Sequence, residues 1–177
     1  ELPKSLVIRT NFFGWGPEYR HSFSDQILNA LSQGDEIVMF DDVYFNPVSM
    51  CRVIDICHQL IDSRCHGIFH ISSVNRISKY EFSVKLAKAF GYDPDVIQPI
   101  QAFRKKSKVN RPKDLTLSSD LLCEVLSIKP IKIEEEIFDL KSNQKIKLEI
   151  HKISRLIPYG KHFIDDEDVN AVISVLC

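Results

Sequence analysis

The sequence predicts an α/β fold, an incomplete parallel sheet with flanking helices, and three observations carry that expectation. Leu6, Val7 and Ile8 form an apolar run that empties into a polar loop punctuated by Gly14 and Gly16, which suits a strand covered on both faces in a parallel sheet. Further short apolar runs at 36–40 and 67–71 alternate with segments of helical spacing. Ser, Gly and Pro residues punctuate the boundaries. Ligands of parallel sheets sit beyond the carboxyl ends of the strands, so residues 10–16 fall on the ligand side. A buried strand this near the first residue leads us to expect the later part of a longer α/β unit.

After that strand, Ser22 or Ser24 caps a helix with Phe23, Ile27, Leu28 and Leu31 on one face and Gly34 as its stop. Residues 36–40 read as a strand and 41–47 as a loop. Ser49 opens a helix in which Met50, Val53, Ile54, Cys57, Leu60 and Ile61 follow helical spacing. A strand at 67–71 follows. Ser78 and Glu81 have capping-box spacing, ahead of a helix that turns Phe82, Leu86, Ala89 and Phe90 inward and ends at Gly91. Between residues 92 and 114, Pro94, Pro99 and Pro112 and the basic run Arg104, Lys105, Lys106, Lys108, Arg111 and Lys113 mark a surface loop region. Short helices are expected at 119–126 and 133–140. Residues 1–140 thus form one region, 141–156 a linker with strand-like alternation at Ile146, Leu148 and Ile150, and 157–177 the start of another unit with an amphipathic segment from about Asp165.

Composition narrows the function. With 177 residues, 44% of them hydrophobic, and a formal net charge of -1, the chain has an ordinary globular profile and no global electrostatic pull toward nucleic acid or an anionic membrane. The basic run lacks interleaved stacking aromatics apart from Phe103, so a nucleic-acid partner is not expected. The five cysteines are odd in number and contain no C-x-x-C pair, which argues for reduced thiols in a cytoplasmic protein. No apolar run approaches the roughly 18 residues of a membrane span. Cys51, Cys57 and His58 lie too far apart in spacing for one tetrahedral site, and His66 and His70 flank a strand, so no metal is expected. No H-E-x-x-H or G-x-S-x-G motif supports a hydrolase.

The landmarks V-I-R-T-N-F-F-G-W-G, D-D-V-Y-F-N-P, G-I-F-H-I, S-K-Y-E-F and R-P-K-D-L-T-L-S, in that order over about residues 2–140, resemble the C-terminal half of extended short-chain dehydrogenase/reductases. The branch they look most like is that of dTDP-4-dehydrorhamnose reductase and related sugar-nucleotide reductases. The resemblance implies the C-terminal part of a Rossmann-like reductase that holds a sugar nucleotide against an N-terminal, NAD(P)-binding Rossmann half. Family catalysis uses a Tyr-x-x-x-Lys pair, one helical turn apart, in which the ammonium lowers the phenol's pKa. The residues four after Tyr19, Tyr44, Tyr80, Tyr92 and Tyr159 are Phe23, Val48, Val84, Val96 and Phe163, so no such pair exists in this sequence. Gly14 and Gly16 have no third glycine to complete a dinucleotide loop. No catalytic or cofactor-binding residue is therefore assigned, and the chain is expected to be inactive alone. A non-catalytic binding or regulatory module of the same fold is the alternative. Residues 157–169, I-P-Y-G-K-H-F-I-D-D-E-D-V, resemble the opening of PLP-dependent sugar-nucleotide aminotransferases, although the residues that would hold PLP fall outside the sequence.

Five residues are candidates for substrate binding. Asn11 resembles the position that presents a side-chain amide to the sugar or nicotinamide, where an amide both donates and accepts hydrogen bonds; its plainer role is local turn capping. Trp15 is placed to stack on a sugar ring or to cover the sheet end. Tyr44 and Asn46 lie in a loop after a strand, where Asn46-Pro47 is also an ordinary turn signal. Arg111 resembles the family arginine that reaches the nucleotide diphosphate, where a guanidinium pairs two oxygens at once, against its reading as one charge in a solvated run.

Overall fold

In the computed structural model, which describes residues 4–17, 20–102 and 112–144, short strands alternate with helices as the sequence leads one to expect. Strands β1 (Leu6–Thr10) and β6 (Gly67–Ile71) pair in parallel with Ile8 opposite Phe69. Parallel pairs also form between β2 (Phe12–Phe13) and β5 (Val48–Ser49), and between β3 (Ile37–Phe40) and β8 (Ile97–Ile100). The antiparallel pair joins β4 (Tyr44–Phe45) to β7 (Ile77–Ser78). The helices are α1 (Phe23–Gln33), α2 (Met50–Asp62), α3 (Lys79–Phe90), α4 (Asp120–Leu126) and α5 (Ile133–Ser142). The α/β class is as predicted.

Two apolar clusters hold these elements. One gathers Phe13, Phe45, Phe82, Leu86, Ile97, Ile133 and Ile137, joining α1, α3 and α5 to the short strands. Phe82 meets Phe13, Phe23 and Phe45 at ring-centroid distances of 5.0, 5.8 and 5.4 Å. The other gathers Val48, Ile56, Leu60, Phe69, Ile71 and Leu122, with Leu6 and Ile8 packed against it. Between them, the fully buried Glu136 of α5 accepts from the Ser49 backbone N–H at 2.8 Å and pairs with Arg52 Nε of α2 at 2.9 Å.

Caps follow the expected chemistry. Ser22, and not Ser24, is the N-cap of α1, with Asp25 completing a capping box; Gly34 ends the helix at φ 76°. Ser78 and Glu81 form the capping box of α3, and Gly91 closes it at φ 80°. Lys141 at the end of α5 donates to the Ala89 carbonyl at 2.7 Å.

Three expectations need correction. Among the described residues β1 is covered on one face: Leu6 and Ile8 pack inward, while Val7 and its register partner Ile68 are 43% and 50% exposed. Alternate strand residues point to opposite faces, so an unbroken apolar run does not by itself report two covers. In α2 the buried residues are Ile56 and Leu60, and Ile54 and Ile61 face solvent, because the inward stripe is narrower than the sequence reading allowed. β8 lies inside the stretch read as irregular. Pro99 obscured it, yet β3 pairs with β8 in register from Ile37↔Ile97 to Phe40↔Ile100. The 103–111 stretch with Arg111, the linker from residue 145 on, and residues 157–177 lie outside the described residues.

Candidate functional site

An open cleft of about 540 Å³ lies at the carboxyl end of β1, lined by Arg9, Thr10, Asn11, Asp114, Leu115 and Thr116 among others. This is the end at which a parallel sheet offers its loops to a ligand. Its wall is built by threading residues 113–115 beside β4: the Tyr44 N–H donates to Lys113 O at 2.8 Å, and the Leu115 N–H to Tyr44 O at 2.9 Å.

Asn11 ties the two sides together. Its Nδ2 donates to Leu115 O at 2.8 Å, and its backbone carbonyl accepts from the Val48 N–H at 2.9 Å. The side-chain oxygen takes no partner among the described residues and stays available as an acceptor. Thr10 Oγ1 is buried beside it with no hydrogen-bond partner among the described residues. Such a hydroxyl is costly unless something completes it. On the rim, Asp114 accepts from Thr116 Oγ1 at 2.7 Å, from the Thr116 N–H at 3.0 Å and from Arg76 Nε at 3.1 Å. These donors, the Thr116 hydroxyl foremost, hold its carboxyl below the usual range. Arg76 in turn stacks 3.6 Å above the Tyr44 ring, so one face of Tyr44 is occupied by the protein itself.

The other candidates sit in different surroundings. Asn46 is buried, and both amide hydrogens are spent, on Ser73 O at 2.8 Å and Leu117 O at 2.7 Å, while its Oδ1 accepts from the Leu117 N–H at 3.0 Å. It clamps three loops behind the cleft wall. Trp15 donates its indole N–H to Leu140 O at 3.2 Å and packs edge-on to Phe90, which fastens the 14–17 loop to α3 and α5. Arg111 lies outside the described residues. Sequence reasoning put Thr10 at the ligand end of β1 without giving it a role and passed over Asp114; the signal for both is position, one closing β1 and the other sitting inside the R-P-K-D landmark.

The two glycines of the first loop serve the loop itself. A Cβ at Gly16 would stand 2.6 Å from the Arg20 carbonyl oxygen, and one at Gly14 would stand 3.2 Å from Met50 Cβ. The Gly16 N–H is already bound to Asp25 Oδ2 at 2.7 Å. That close approach is filled by the chain, so the backbone at Gly14 and Gly16 does not fit a dinucleotide pyrophosphate.

Among the described residues no helix is long and apolar enough to cross a membrane, and no group of three or more His, Cys, Asp or Glu side chains is placed to hold a metal.

Parallel strand pairs with flanking helices and a cleft at the carboxyl end of β1 place the chain in the α/β class, with a Rossmann-like fold similar to that of solved reductases. Within it the chain belongs to the RmlD substrate binding domain family, whose pattern matches residues 1–145. Among solved structures, the dTDP-4-dehydrorhamnose reductase of Clostridium acetobutylicum superposes with a TM-score of 0.70 at 20% identity, over 81% of this chain and 50% of that one. The Bacillus anthracis dTDP-4-dehydrorhamnose reductase, solved in complex with NADP, gives 0.69 at 18% identity, over 78% and 48%. A curated relative from Haloferax volcanii, named "Probable low-salt glycan biosynthesis reductase Agl14", is 25% identical over 100 residues, 54% of this chain and 33% of its own length. The chain thus spans about half the length of the solved relatives and a third of the curated one.

Proposed function

We propose that this chain is the sugar-nucleotide-binding part of an NAD(P)-dependent reductase resembling dTDP-4-dehydrorhamnose reductase, acting in nucleotide-sugar biosynthesis in the cytoplasm. The observation that carries the reading is the coincidence of the family match over residues 1–145 with the cleft beside β1, where the free Asn11 oxygen and the unpartnered Thr10 hydroxyl suit a polyhydroxylated ligand. In the whole protein a nicotinamide would supply hydride to a 4-keto sugar. The residues of this chain bind and orient that sugar: Asn11 accepts from a hydroxyl, Tyr44 and Asn46 shape and support the cleft wall, Trp15 fixes the loop beneath it, and Arg111 pairs with the diphosphate. The exposed Val7 and Ile68 face is where a Rossmann half would pack, since parallel sheets are ordinarily covered on both sides. Residues 157–177 are proposed as the start of an aminotransferase-like unit, after a linker at 141–156.

Isothermal titration of the 177-residue chain with dTDP-glucose tests the reading. Measurable heat is expected, weakened at least fivefold by Arg111→Ala or Asn11→Ala. Absence of heat at millimolar ligand overturns it. With NADPH and a dTDP-4-keto sugar the chain alone should oxidise no cofactor, because it carries no Tyr-x-x-x-Lys pair.

A further inference from the structure

Residues 46–49 stand behind both walls of the cleft. Toward one wall the Asn46 side chain holds Leu117, donating to its carbonyl at 2.7 Å and accepting from its N–H at 3.0 Å. Toward the other, the Val48 N–H donates to Asn11 O at 2.9 Å. The spacing of the walls therefore depends on where this segment sits. β5 supplies two of its residues and pairs with β2, Phe12 opposite Val48 and Phe13 opposite Ser49. Successive N–H groups of a strand point to opposite edges, so the Ser49 N–H faces away from β2. Among the described residues no strand pairs with that edge. Glu136 of α5 takes the bond instead, its Oε2 accepting from the Ser49 N–H at 2.8 Å.

A carboxylate is a costly group to put there. Glu136 is wholly enclosed, and the attraction within a buried ion pair does little more than offset the hydration both ions lose. An aliphatic side chain would pack α5 against β5 without that cost, but would leave the Ser49 N–H unpaired. What the carboxylate supplies is direction. Its Oε1 accepts from Arg52 Nε at 2.9 Å, and Asp139, one turn further along α5, lies 3.7 Å from the same guanidinium. Arg52 is rooted in the first turn of α2, where its backbone N–H donates to the Oγ of the Ser49 N-cap at 3.2 Å. Ser49, Arg52 and Glu136 thus close a ring of hydrogen bonds across β5, α2 and α5.

We propose that Glu136 is a positioning residue for the cleft: through the Ser49 N–H it fixes β5, and through the Val48 N–H it aims Asn11 at the ligand. The proposal rests on the sugar-nucleotide reading and adds to it a residue of α5 that acts without touching the sugar.

Titration calorimetry of the full chain with dTDP-glucose tests it in a double-mutant cycle of Glu136 and Asn11, with thermal unfolding as the folding check. Glu136→Leu fills the space but accepts no hydrogen bond, and should weaken dTDP-glucose at least fivefold. Glu136→Gln keeps an acceptor for Ser49 and should return affinity to within twofold of wild type. In the Asn11→Ala background, Glu136→Leu should weaken binding less than twofold, because the side chain it aims is gone. A merely structural carboxylate would lower affinity by the same factor in both backgrounds. That result, or a folded Glu136→Leu that binds like wild type, overturns the Glu136 assignment while the sugar-nucleotide reading stands. If wild type takes up no dTDP-glucose at millimolar concentration, both fall together.

Discussion

Phe82 of α3 and Ile68 of β6 are both large apolar residues in regular elements, yet Phe82 is wholly enclosed and Ile68 stands half exposed beside Val7. The α1, α3 and α5 side of the molecule closes on itself: Phe82 is ringed by Phe13, Phe23 and Phe45, and Leu86 and Ile133 are equally hidden. Among the described residues the β1 and β6 pair closes toward α2 and α4. One region is complete among the described residues, and the other presents the flat apolar side of a parallel pair. Stability should therefore reside on the helical side, and the strand side should tolerate polar substitution.

The sharpest way to break that comparison is Phe82→Ala. Removing a fully buried ring costs about 3–5 kcal/mol, transfer and cavity together. Urea unfolding should show a midpoint shift of that order. A cost below about 1 kcal/mol would mean that the aromatic cluster is not the keystone of this side.

Asn46→Ala comes next, because it tests the seam between the regions. Three loops lose their common clamp, and the Ser73 carbonyl loses its side-chain donor. With typical penalties for buried groups left unpaired, a loss of about 2–3 kcal/mol is expected in the same assay. A loss near zero would show that water replaces the amide.

Asn46 also shows how far the sequence could be read. Its position in a loop after a strand was visible, and so were the alternation of strands and helices, the Ser78–Glu81 box and the stops at Gly34 and Gly91, because these depend on neighbours within four residues. What Asn46 bonds was not visible. Its partners lie 27 and 71 residues away, and no local pattern encodes such distances. The same holds for Trp15 with Leu140, 125 residues on, and for Glu136 beneath Arg52. The two-residue strands β2, β4, β5 and β7 are too short to show a period, and β8 was masked by Pro99. Site candidates were legible as loop positions at strand ends, whereas their partition into cleft, clamp and packing roles depends on tertiary contacts.

Lys79 sharpens the comparison through pH. Its folded-state pKa, about 8, lies below the ordinary 10.5, so the unfolded chain binds the proton more tightly. Stability should rise as pH climbs from about 8 to about 10.5, and below pH 8 the lysine is a constant penalty. At about 1.4 kcal/mol per unit the gain is at most on the order of 3 kcal/mol. Thermal melts across that interval should show the rise in wild type and lose it in Lys79→Met, which should also melt higher at pH 7. A wild-type curve flat from pH 8 to 10 would place the ammonium in water and remove that cost from the helical side.

The smallest effect is expected on the strand side. Ile68→Thr keeps the β-branched side chain that suits a strand, but exchanges half-exposed apolar surface for a hydroxyl that water can satisfy. Only the cross-strand contact with Val7 is weakened, worth about 0.2–1 kcal/mol. Less apolar area meets solvent after the change, so the net shift in unfolding free energy should stay within about 0.5 kcal/mol. Light scattering separates this outcome from a hidden interface: if Val7 and Ile68 are covered by a second copy of the chain in solution, the substitution should lower the scattering mass and cost well over 1 kcal/mol. That result would make the strand side as closed as the helical side, and the contrast between Phe82 and Ile68 would disappear.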